Sequence, residues 1–404
     1  AASTRSNAAH ANSAILLSRA DVIPVAPAEQ LALFEGVAAR ATPETVLGAL
    51  KAHALPLDEA LIRFQGRSAP AGGAEALRAV FNNAMAMPVT APQTAAAAPF
   101  GYTEFGAPGA VVRDEVEPML GIRIVQFANG VRLNLKRTEL EKDRVRVAMV
   151  VDGGNLLDTR DAPLRTALTG PLPSGGLGKH SFDELQTVLA GRTVGMGFSA
   201  ASDSFRFDGA TTARDLELQL QVIAAFITDP AYRPEAVTRY RNGIDDYFAQ
   251  FEATPRSTLS VREGEILSDR DPRFTLQSRE AYAALDFSTL KEAMGERLRN
   301  GALELSLVGD IDEASAIALV ARTIGALPQR EELFRTYADN RDRTFTVDRS
   351  QRILRHSGEA NQAMVHHVWP TQDDSDPLAV STLTLLRAVV DLKVTETLRE
   401  KLGK

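Results

Sequence analysis

A stretch of 40 residues, Gly191–Pro230, constrains the fold of this chain more than any other part of the sequence. Its first part alternates apolar with small residues. After a polar corner at Ser202–Asp203, Phe205 and Phe207 alternate with polar residues. A period of two on both arms, with a polar turn between them, predicts a β-hairpin with one buried face. The small residues on the other face leave room for another group to approach the backbone closely.

The hydrophobic period changes directly after this hairpin. Four apolar residues that share one side of a helix follow: Leu216, Leu220, Ile223 and Ile227. We expect Thr212 as the N-cap and Asp215 in the first turn. Asp229-Pro230 ends the helix, because the residue before a proline disfavours helical geometry. A hairpin followed by an amphipathic helix predicts a two-layer α+β domain.

Length and composition set further limits. The 404 residues predict two or three domains at about 150 residues each. The net charge of −7 argues against nucleic acid or an anionic membrane as a main partner. Cysteine is absent, which excludes disulfides, thiolate metal ligands and cysteine nucleophiles. The chain begins without methionine or a secretion signal and ends just after a helical pattern, so we expect a segment of a longer polypeptide.

Turn and cap signals place the other elements. Residues 1–87 are expected to be mainly helical, and the composition of 88–112, rich in Pro, Ala, Thr and Gly, predicts an extended connector. Asn129-Gly130 predicts a tight hairpin, and Ser181–Glu184 fits a capping box after a Gly-rich loop. Weaker patterns predict three strands and a short helix: Leu61–Phe64, Arg352–His356 and Ala363–Trp369, and Ala162–Leu168. Strands joined by hairpins favour a mostly antiparallel sheet with helices packed on one face.

No catalytic motif is evident from the residues alone. The six histidines form neither H-E-x-x-H nor H-x-x-E-H, and the pair His366-His367 is expected to be structural or exposed, since neighbours on a strand point to opposite faces. Gly197–Ala201 lacks the second glycine of a serine nucleophile elbow. The loop Gly176–Ser181 has half the spacing of a dinucleotide or phosphate loop, although an anion at the following helix N-terminus stays open.

Several short motifs nevertheless occur in a characteristic order and spacing. They are Asn129–Leu133, Asp152–Gly154, Gly175-Gly176, Glu184-Leu185 and Ala190–Arg192, followed by the hairpin and helix described above. In this order they resemble the pitrilysin/insulinase family of zinc metallopeptidases, the inverzincins. More narrowly, they resemble the second, non-catalytic half of a long bacterial member, over nearly the whole chain.

The resemblance implies a fold of repeated two-layer α+β domains, two in each half, whose halves close around a peptide like a clamshell. It implies the end of a second domain at 1–87, an inter-half linker at 88–112, a complete third domain at 113–335 and the truncated start of a fourth at 340–404. In the catalytic half of the family, an H-x-x-E-H helix and a later glutamate hold zinc. The matching segment here, Ala162–Lys179, contains no His, Asp or Glu. The zinc of the parent enzyme would therefore belong to the missing half, and this segment would bind none.

The resemblance also implies one substrate-binding residue. The second half of the family supplies an arginine and, seven residues later, a tyrosine, in a pattern that Leu398–Gly403 matches. Arg399 would then bind substrate or stabilise the developing oxyanion, and the tyrosine would fall two positions beyond Lys404. The alternative is an arginine on the helix surface near Glu396 and Glu400.

The leading hypothesis is the non-catalytic half of a zinc metalloendopeptidase that encloses peptides or unfolded proteins while its partner, the catalytic half, hydrolyses them. This segment alone is expected to be inactive and to contain no catalytic residue. The alternative is a zinc-free structural or partner-binding subunit of a peptidase-like complex, and a third option is an unrelated binding module. The resemblance further implies a periplasmic location.

Overall fold

The structure is a computed structural model that describes residues 7–19, 25–53, 61–66, 68–88, 99–372, 374–401 and 403. The chain divides into two compact units. The first comprises Ala1–Asp158, Leu164–Arg241 and Leu285–Tyr337, and the second comprises Thr159–Pro163, Asn242–Ala284 and Ala338–Lys404. The domain boundaries inferred from the resemblance remain predictions.

A seven-stranded sheet forms the centre of the first unit. Its strands are β1 (Val111–Glu117), β2 (Ile122–Phe127), β3 (Arg132–Arg137), β4 (Val145–Asp152), β5 (Gly197–Ala200), β6 (Ser204–Thr211) and β7 (Leu303–Gly309). Their order across the sheet is β1-β2-β3-β7-β4-β6-β5, and each neighbouring pair is antiparallel except β3 with β7. The predicted α+β fold with a mostly antiparallel sheet is thus confirmed.

Helices flank and interrupt these strands along the chain. They are α1 (Asn7–Arg19), α2 (Pro27–Ala38), α3 (Pro43–His53), α4 (Gly73–Ala86), α5 (Phe182–Val188), α6 (Leu216–Thr228), α7 (Pro234–Asn242), α8 (Ile244–Phe251), α9 (Pro255–Leu267), α10 (Arg279–Ala283), α11 (Phe287–Asn300), α12 (Glu313–Arg322), α13 (Ala338–Arg341) and α14 (Pro377–Thr395). Helices α1–α4 expose nearly all of their described side chains, whereas α6 and α11 bury most of one side.

One face of the sheet is covered by helices, as predicted. Helices α6, α11 and α12 pack against strands β6, β4 and β3, respectively. The inward residues alternate along each strand, so that Val147 and Met149 on β4, and Phe205 and Phe207 on β6, are almost fully buried. Burial of each such side chain contributes about 1.5–3 kcal/mol, which makes this alternation the main determinant of the register.

The helix after the hairpin begins later than predicted. The Thr212 hydroxyl accepts a hydrogen bond from the Asp215 amide at 3.3 Å, which forms a turn, and Asp215 instead occupies the N-cap position of α6. The Asp215 carboxylate is held by Arg214 and by the Thr193 amide, and these bonds lower its pKa. The end of α6 at Thr228, directly before Asp229-Pro230, agrees with the prediction.

Two other local predictions were wrong. Residues 61–64 are irregular and exposed, because no neighbouring strand in the described part of the chain pairs with them. Residues 162–168 form turns instead of a helix, since the Thr166 amide donates to the Asp158 carboxylate at 2.9 Å rather than to the carbonyl four residues back. The sequence analysis also missed the edge strand β1 and helix α11.

The second unit contains α8, α9, α10, α13 and α14. Aromatic rings of α8 and α10 pack together, with 5.8 Å between the ring centroids of Phe248 and Tyr282. The strands predicted at 352–356 and 363–369 are not formed, so these two predictions were wrong. The chain between these two segments is tied to the end of α8, where the Ser357 amide donates to the Glu252 carbonyl at 2.7 Å, and no strand of this unit is described with which they could pair.

Candidate functional site: the open face and edge of the sheet

The face of the sheet opposite the helices carries polar side chains with some apolar ones between them and is accessible to solvent; we call it the open face. It consists of Arg132, Asn134 and Lys136 on β3, Glu304, Ser306 and Val308 on β7, Arg146, Ala148 and Val150 on β4, Arg206 and Asp208 on β6, and Gly197 and Ser199 on β5. These residues alternate with the buried ones, so the same strands build both faces. Such a face is suited to contact another polypeptide.

Charges of both signs are dispersed over the open face. Arg132 Nη1 lies 3.4 Å from Glu304 Oε1, and Asn134 donates to the same carboxylate at 3.4 Å. Towards the β5 edge, Arg206 and Asp208 flank small neighbours and are exposed. Exposed pairs of this kind contribute about 0–1 kcal/mol to stability. The charges therefore determine what the surface can bind far more than they hold the fold together.

Strand β5 is one edge of the sheet and leaves one side of its backbone unpaired by the described strands. The Ala201 amide donates to the Ser204 carbonyl at 2.8 Å, so alternation of an antiparallel ladder directs the Ser199 backbone towards β6. The backbone N–H and C=O groups of Phe198 and Ala200 consequently point outward. An extended peptide can pair with such an edge through its main chain.

The segment that follows β4 does not fit a catalytic metal centre. It contains turns of 3₁₀ helix at Gly154–Leu157 and Leu172–Gly175. Among the described residues, no group of three or more His, Cys, Asp or Glu side chains lies together in a way that could hold a metal ion. A catalytic zinc typically needs three protein ligands of these kinds, so no chemical step is assigned to a metal on this chain.

One carboxylate in this segment is strongly perturbed. Burial raises the pKa of Asp158 to about 6, although hydrogen bonds from the Thr166 hydroxyl and amide, at 2.8 and 2.9 Å, oppose the shift. The Thr166 hydroxyl also lies 3.0 Å from Asn155 Oδ1. The cluster fixes the turn after β4 and titrates close to neutral pH.

A buried ionic network fixes the other side of the same turn. Asp152, fully buried at the end of β4, accepts hydrogen bonds from Arg297 at 2.8 Å, the Tyr337 hydroxyl at 2.5 Å and the Arg335 amide at 2.9 Å. Burial alone would lower the pKa of Arg297, but its bonds to Glu331 and other carboxylates raise it. The bond to Arg297 in turn lowers the pKa of Glu331 to about 2. All members are paired, which indicates a structural role for Asp152 in the Asp152–Gly154 motif.

The Gly-rich loop is likewise occupied by protein groups. The predicted capping box is present: Glu184 N donates to Ser181 Oγ at 3.2 Å, and Ser181 N donates to Glu184 Oε2 at 2.7 Å. Arg233 donates to the Gly175 and Gly178 carbonyls. The amides of Ser181 and Glu184 therefore already have partners, and the option of a bound anion gains no support.

The remaining sequence-derived candidates lie in the second unit. Arg399 is exposed in a π-helical turn, Glu396–Lys401, that follows α14. His366 contacts Glu263 at 3.0 Å, and the ring of His367 stacks on Trp369 with 4.3 Å between centroids. A groove of about 500 Å³ in this unit is lined by side chains of α8, α9 and residues 353–355. No helix in the described part of the chain has the length and apolar character that a bilayer crossing requires.

Comparison with known proteins places these features in context. No protein-family profile matches the chain. It is 21% identical to the chloroplast stromal processing peptidase of Arabidopsis thaliana over 204 residues, which are 48% of this chain and 16% of that protein. Its identity to the Pisum sativum protein of the same name is 19% over 213 residues, 51% of this chain and 17% of that protein. The chain thus spans a small part of these curated relatives.

Solved structures with some likeness are also peptidases. They include the periplasmic protease PqqL from Escherichia coli (TM-score 0.49, 16% identity, 74% of this chain and 30% of that chain), an inactive peptidase domain from Pseudomonas fluorescens (0.45, 17%, 53% and 52%) and a mutant of the ferredoxin protease FusC bound to Arabidopsis ferredoxin (0.49, 12%, 68% and 30%). The resemblance predicted from the sequence is confirmed: the chain is similar to peptidases of the pitrilysin/insulinase family.

Proposed function

We propose that this chain is the non-catalytic half of a zinc metalloendopeptidase and that it helps to enclose and bind peptide substrates. A separate catalytic half, with an H-x-x-E-H helix, would hold the zinc and carry out hydrolysis. One observation supports the proposal above the others: the sheet presents a solvent-accessible face with charges of both signs and an edge that no described strand pairs, with no metal-ligating cluster among the described residues. Such a surface can bind a polypeptide but has no means of cleaving it.

The edge strand β5 offers the most direct mode of binding. An extended peptide beside β5 would exchange main-chain hydrogen bonds with Phe198 and Ala200, largely independently of sequence. Its side chains would alternate between the open face, where Gly197 and Ser199 leave space, and the side of the half-buried Met196. This mode suits unfolded or extended segments of varied sequence, which is the substrate class that we propose.

Arg399 is the proposed second contact with substrate. Its guanidinium would donate hydrogen bonds to a substrate carbonyl or to the developing oxyanion. The rival role is a helix-surface arginine near Glu396 and Glu400, and of these two carboxylates Glu396 already lies 2.9 Å from both Lys393 and Lys401. We expect Arg399→Ala in the parent enzyme to lower kcat/KM without lowering the melting temperature, and unchanged kinetics would rule the contact out.

The periplasm is the proposed location, because the similar PqqL is a periplasmic protease. The similar FusC was solved with a protein substrate, ferredoxin, which supports protein-derived substrates for the present chain as well. The identity of the physiological substrate would follow from trapping experiments with an inactivated catalytic half.

The proposal is tested by separating and recombining the two halves. The 404-residue chain is assayed alone for zinc content and for cleavage of a quenched fluorescent peptide, then together with its catalytic half. We expect no stoichiometric zinc and no cleavage for the chain alone, and cleavage that a chelator abolishes for the combined halves. One tightly held zinc per chain, or chelator-resistant cleavage, would contradict the proposal.

The alternative, a zinc-free structural or partner-binding subunit, predicts a different outcome. In that case the catalytic half would cleave short peptides equally well with and without this chain, and the open face would have no effect on KM. A matched pair of variants on the open face, Arg206→Ala and Asp208→Ala, distinguishes the two cases. Only substrate contact predicts that they change KM for charged peptides in opposite directions.

A further inference from the structure

A segment directly before the sheet packs on the rest of the first unit, to which it belongs; we call these residues, 99–110, the strap. At its far end Gly109 N donates to the Ala321 carbonyl, and Ala128 N donates to the Ala110 carbonyl, both at 2.8 Å. A side chain at Gly109 would overlap the Gly325 carbonyl, so the backbones are in direct contact. The strap is therefore fixed firmly where it enters β1.

The near end of the strap is held by a different set of contacts. The Tyr102 hydroxyl donates to Asp229 Oδ2 at 2.6 Å and accepts from the Lys179 amide at 2.7 Å. Lys179 Nζ donates to the Gly101 carbonyl at 2.7 Å. Burial, with the bond to Asp229, raises the pKa of Tyr102 to about 12, so its hydroxyl stays protonated at any physiological pH.

His180 supplies the imidazole of this contact, a side chain that can be either neutral or protonated. It is 4% exposed, its Nε2 lies 2.9 Å from the Gly101 amide, and its ring stacks on Phe100 with 5.6 Å between centroids. A backbone amide can only donate, so Nε2 must be the acceptor and must carry no proton while the strap is docked. Protonation of Nε2 would place two hydrogen-bond donors, its own N–H and the Gly101 N–H, opposite each other.

The charged groups around His180 are of both signs. Lys179 and Arg233, the latter donating to the His180 carbonyl at 3.1 Å, oppose a further positive charge. Glu184, whose pKa is lowered chiefly by its bonds to Ser181, and Asp229 attract one. Because charges of both signs surround the ring, they do not by themselves decide the direction of a pH effect. That direction follows from the role of Nε2 as a hydrogen-bond acceptor.

We propose that His180 is a pH-sensitive latch that holds residues 99–105 against the Gly-rich loop when neutral and releases them when protonated. The docked state requires a neutral ring and the released state does not, so the released state binds more protons. Docking accordingly weakens as the pH falls, by up to about tenfold per pH unit for one proton.

The consequence for the enzyme rests on the proposed function, in which 88–112 joins the two halves. Release of residues 99–105 would detach a stretch that spans up to about 25 Å when extended. Detachment of this stretch would allow the two halves to separate further, so mild acid would favour an open chamber. The latch thus couples proton concentration to access of the substrate.

Hydrogen–deuterium exchange on the 404-residue chain tests the latch without any peptidase assay. The measured quantity is the protection factor of a peptide that covers 99–105, corrected for intrinsic exchange, at about pH 7.5 and about pH 5.5. We expect the wild-type value to fall by up to about tenfold at the lower pH, while peptides from β4 keep theirs. A wild-type value that does not change with pH would overturn the proposal.

Two substitutions of one residue separate the latch from a general loss of structure. His180→Gln provides an acceptor that does not titrate, and should keep the strap protected at both pH values. His180→Phe keeps the aromatic stack without an acceptor, and should leave the strap unprotected at both. His53→Gln, at an exposed site, is the matched control and should behave like wild type. If His180→Gln loses protection at low pH as wild type does, another group is responsible.

Neither the peptide nor the catalytic half enters the experiment, so its outcome is independent of the peptidase proposal.

Discussion

The two faces of the sheet are made by neighbouring residues of the same strands, yet they differ in what holds them in place. On β6, Phe205 and Phe207 are at most 1% exposed and lie under α6, whereas Arg206 and Asp208 are exposed to solvent. The covered face is fixed by burial of apolar area, which is worth about 25 cal/mol per Å². The open face contains only weak, screened ion pairs. The residues that specify the fold therefore alternate along the strand with the residues available to a partner.

This separation means that the open face can vary without loss of the fold. A sheet face of mixed charge, next to an unpaired edge strand, contributes little to stability. Its side chains are mainly available for recognition. The same reasoning applies to the turn after β4, where Asp152 and Arg297 serve the fold and no described cluster serves a metal. Each prediction below tests whether the two kinds of residue are as separate as they look.

The largest effect is expected from neighbouring substitutions on β6. Phe207→Ala should lower the free energy of unfolding by about 3–5 kcal/mol, because it leaves a cavity in the core. Arg206→Ala should change it by about 0.5 kcal/mol or less. Urea denaturation of both variants measures the contrast. Comparable losses in the two variants would show that the open face also supports the fold.

The buried network should come next in size. Arg297→Met leaves the fully buried Asp152 without its charged partner and should cost about 3 kcal/mol, the lower end for a broken buried pair. Lys136→Met, on the open face, is the matched control and should be nearly neutral. Thermal unfolding followed by circular dichroism gives both values. A stable Arg297→Met variant would mean that Tyr337 and the Arg335 amide suffice to hold Asp152.

An edge substitution should affect binding rather than stability. Ala200→Pro removes an outward backbone N–H of β5 and obstructs an added strand, so it should weaken binding of an unfolded peptide about tenfold, or about 1.4 kcal/mol. Ala200→Thr retains the N–H and should bind as wild type does. Fluorescence anisotropy with a labelled peptide of about 20 residues provides the measurement. Equal affinities for both variants would show that the peptide does not bind at β5.

The smallest predicted effect depends on pH. The pKa of Asp158 is raised to about 6, so its contribution to stability is present below the unfolded value of about 3.9 and is lost as the pH rises through 6. Asp158→Asn stays neutral and should melt above wild type at pH 7.5 but equally near pH 4. The exposed Asp161→Asn should show no such difference. A constant offset at all pH values would indicate an effect of packing, not of charge.

The sequence predicted the fold where the signal was local. The β5–β6 hairpin was predictable because Phe205 and Phe207 alternate with polar residues, and α5 because Ser181 and Glu184 form a capping box. Strand β1 was missed because its side chains are exposed on both faces and its sequence, VVRDEVE, lacks a clean alternation of burial. Helix α11 was missed although Asp286 caps it, since its charged residues obscure the apolar stripe.

The site could be predicted only in part. The absence of His, Asp and Glu from Ala162–Lys179 is a property of the sequence and excluded a zinc helix there. The partners of Asp152, by contrast, are Arg297 and Tyr337, which lie 145 and 185 residues away, and no local pattern connects them. The contact between Gly101 and His180 spans 79 residues and depends in the same way on the tertiary fold.

Photo-crosslinking tests the central claim most directly. A photoreactive p-benzoylphenylalanine is placed either at position 199, on the open face beside the β5 edge, or at position 217, on the exposed side of α6, and each chain is illuminated with a labelled unfolded peptide. If the open face and its edge bind substrate, the peptide attaches efficiently at 199 and only at background level at 217. Equal yields at the two positions, or attachment at 217 alone, would contradict the account.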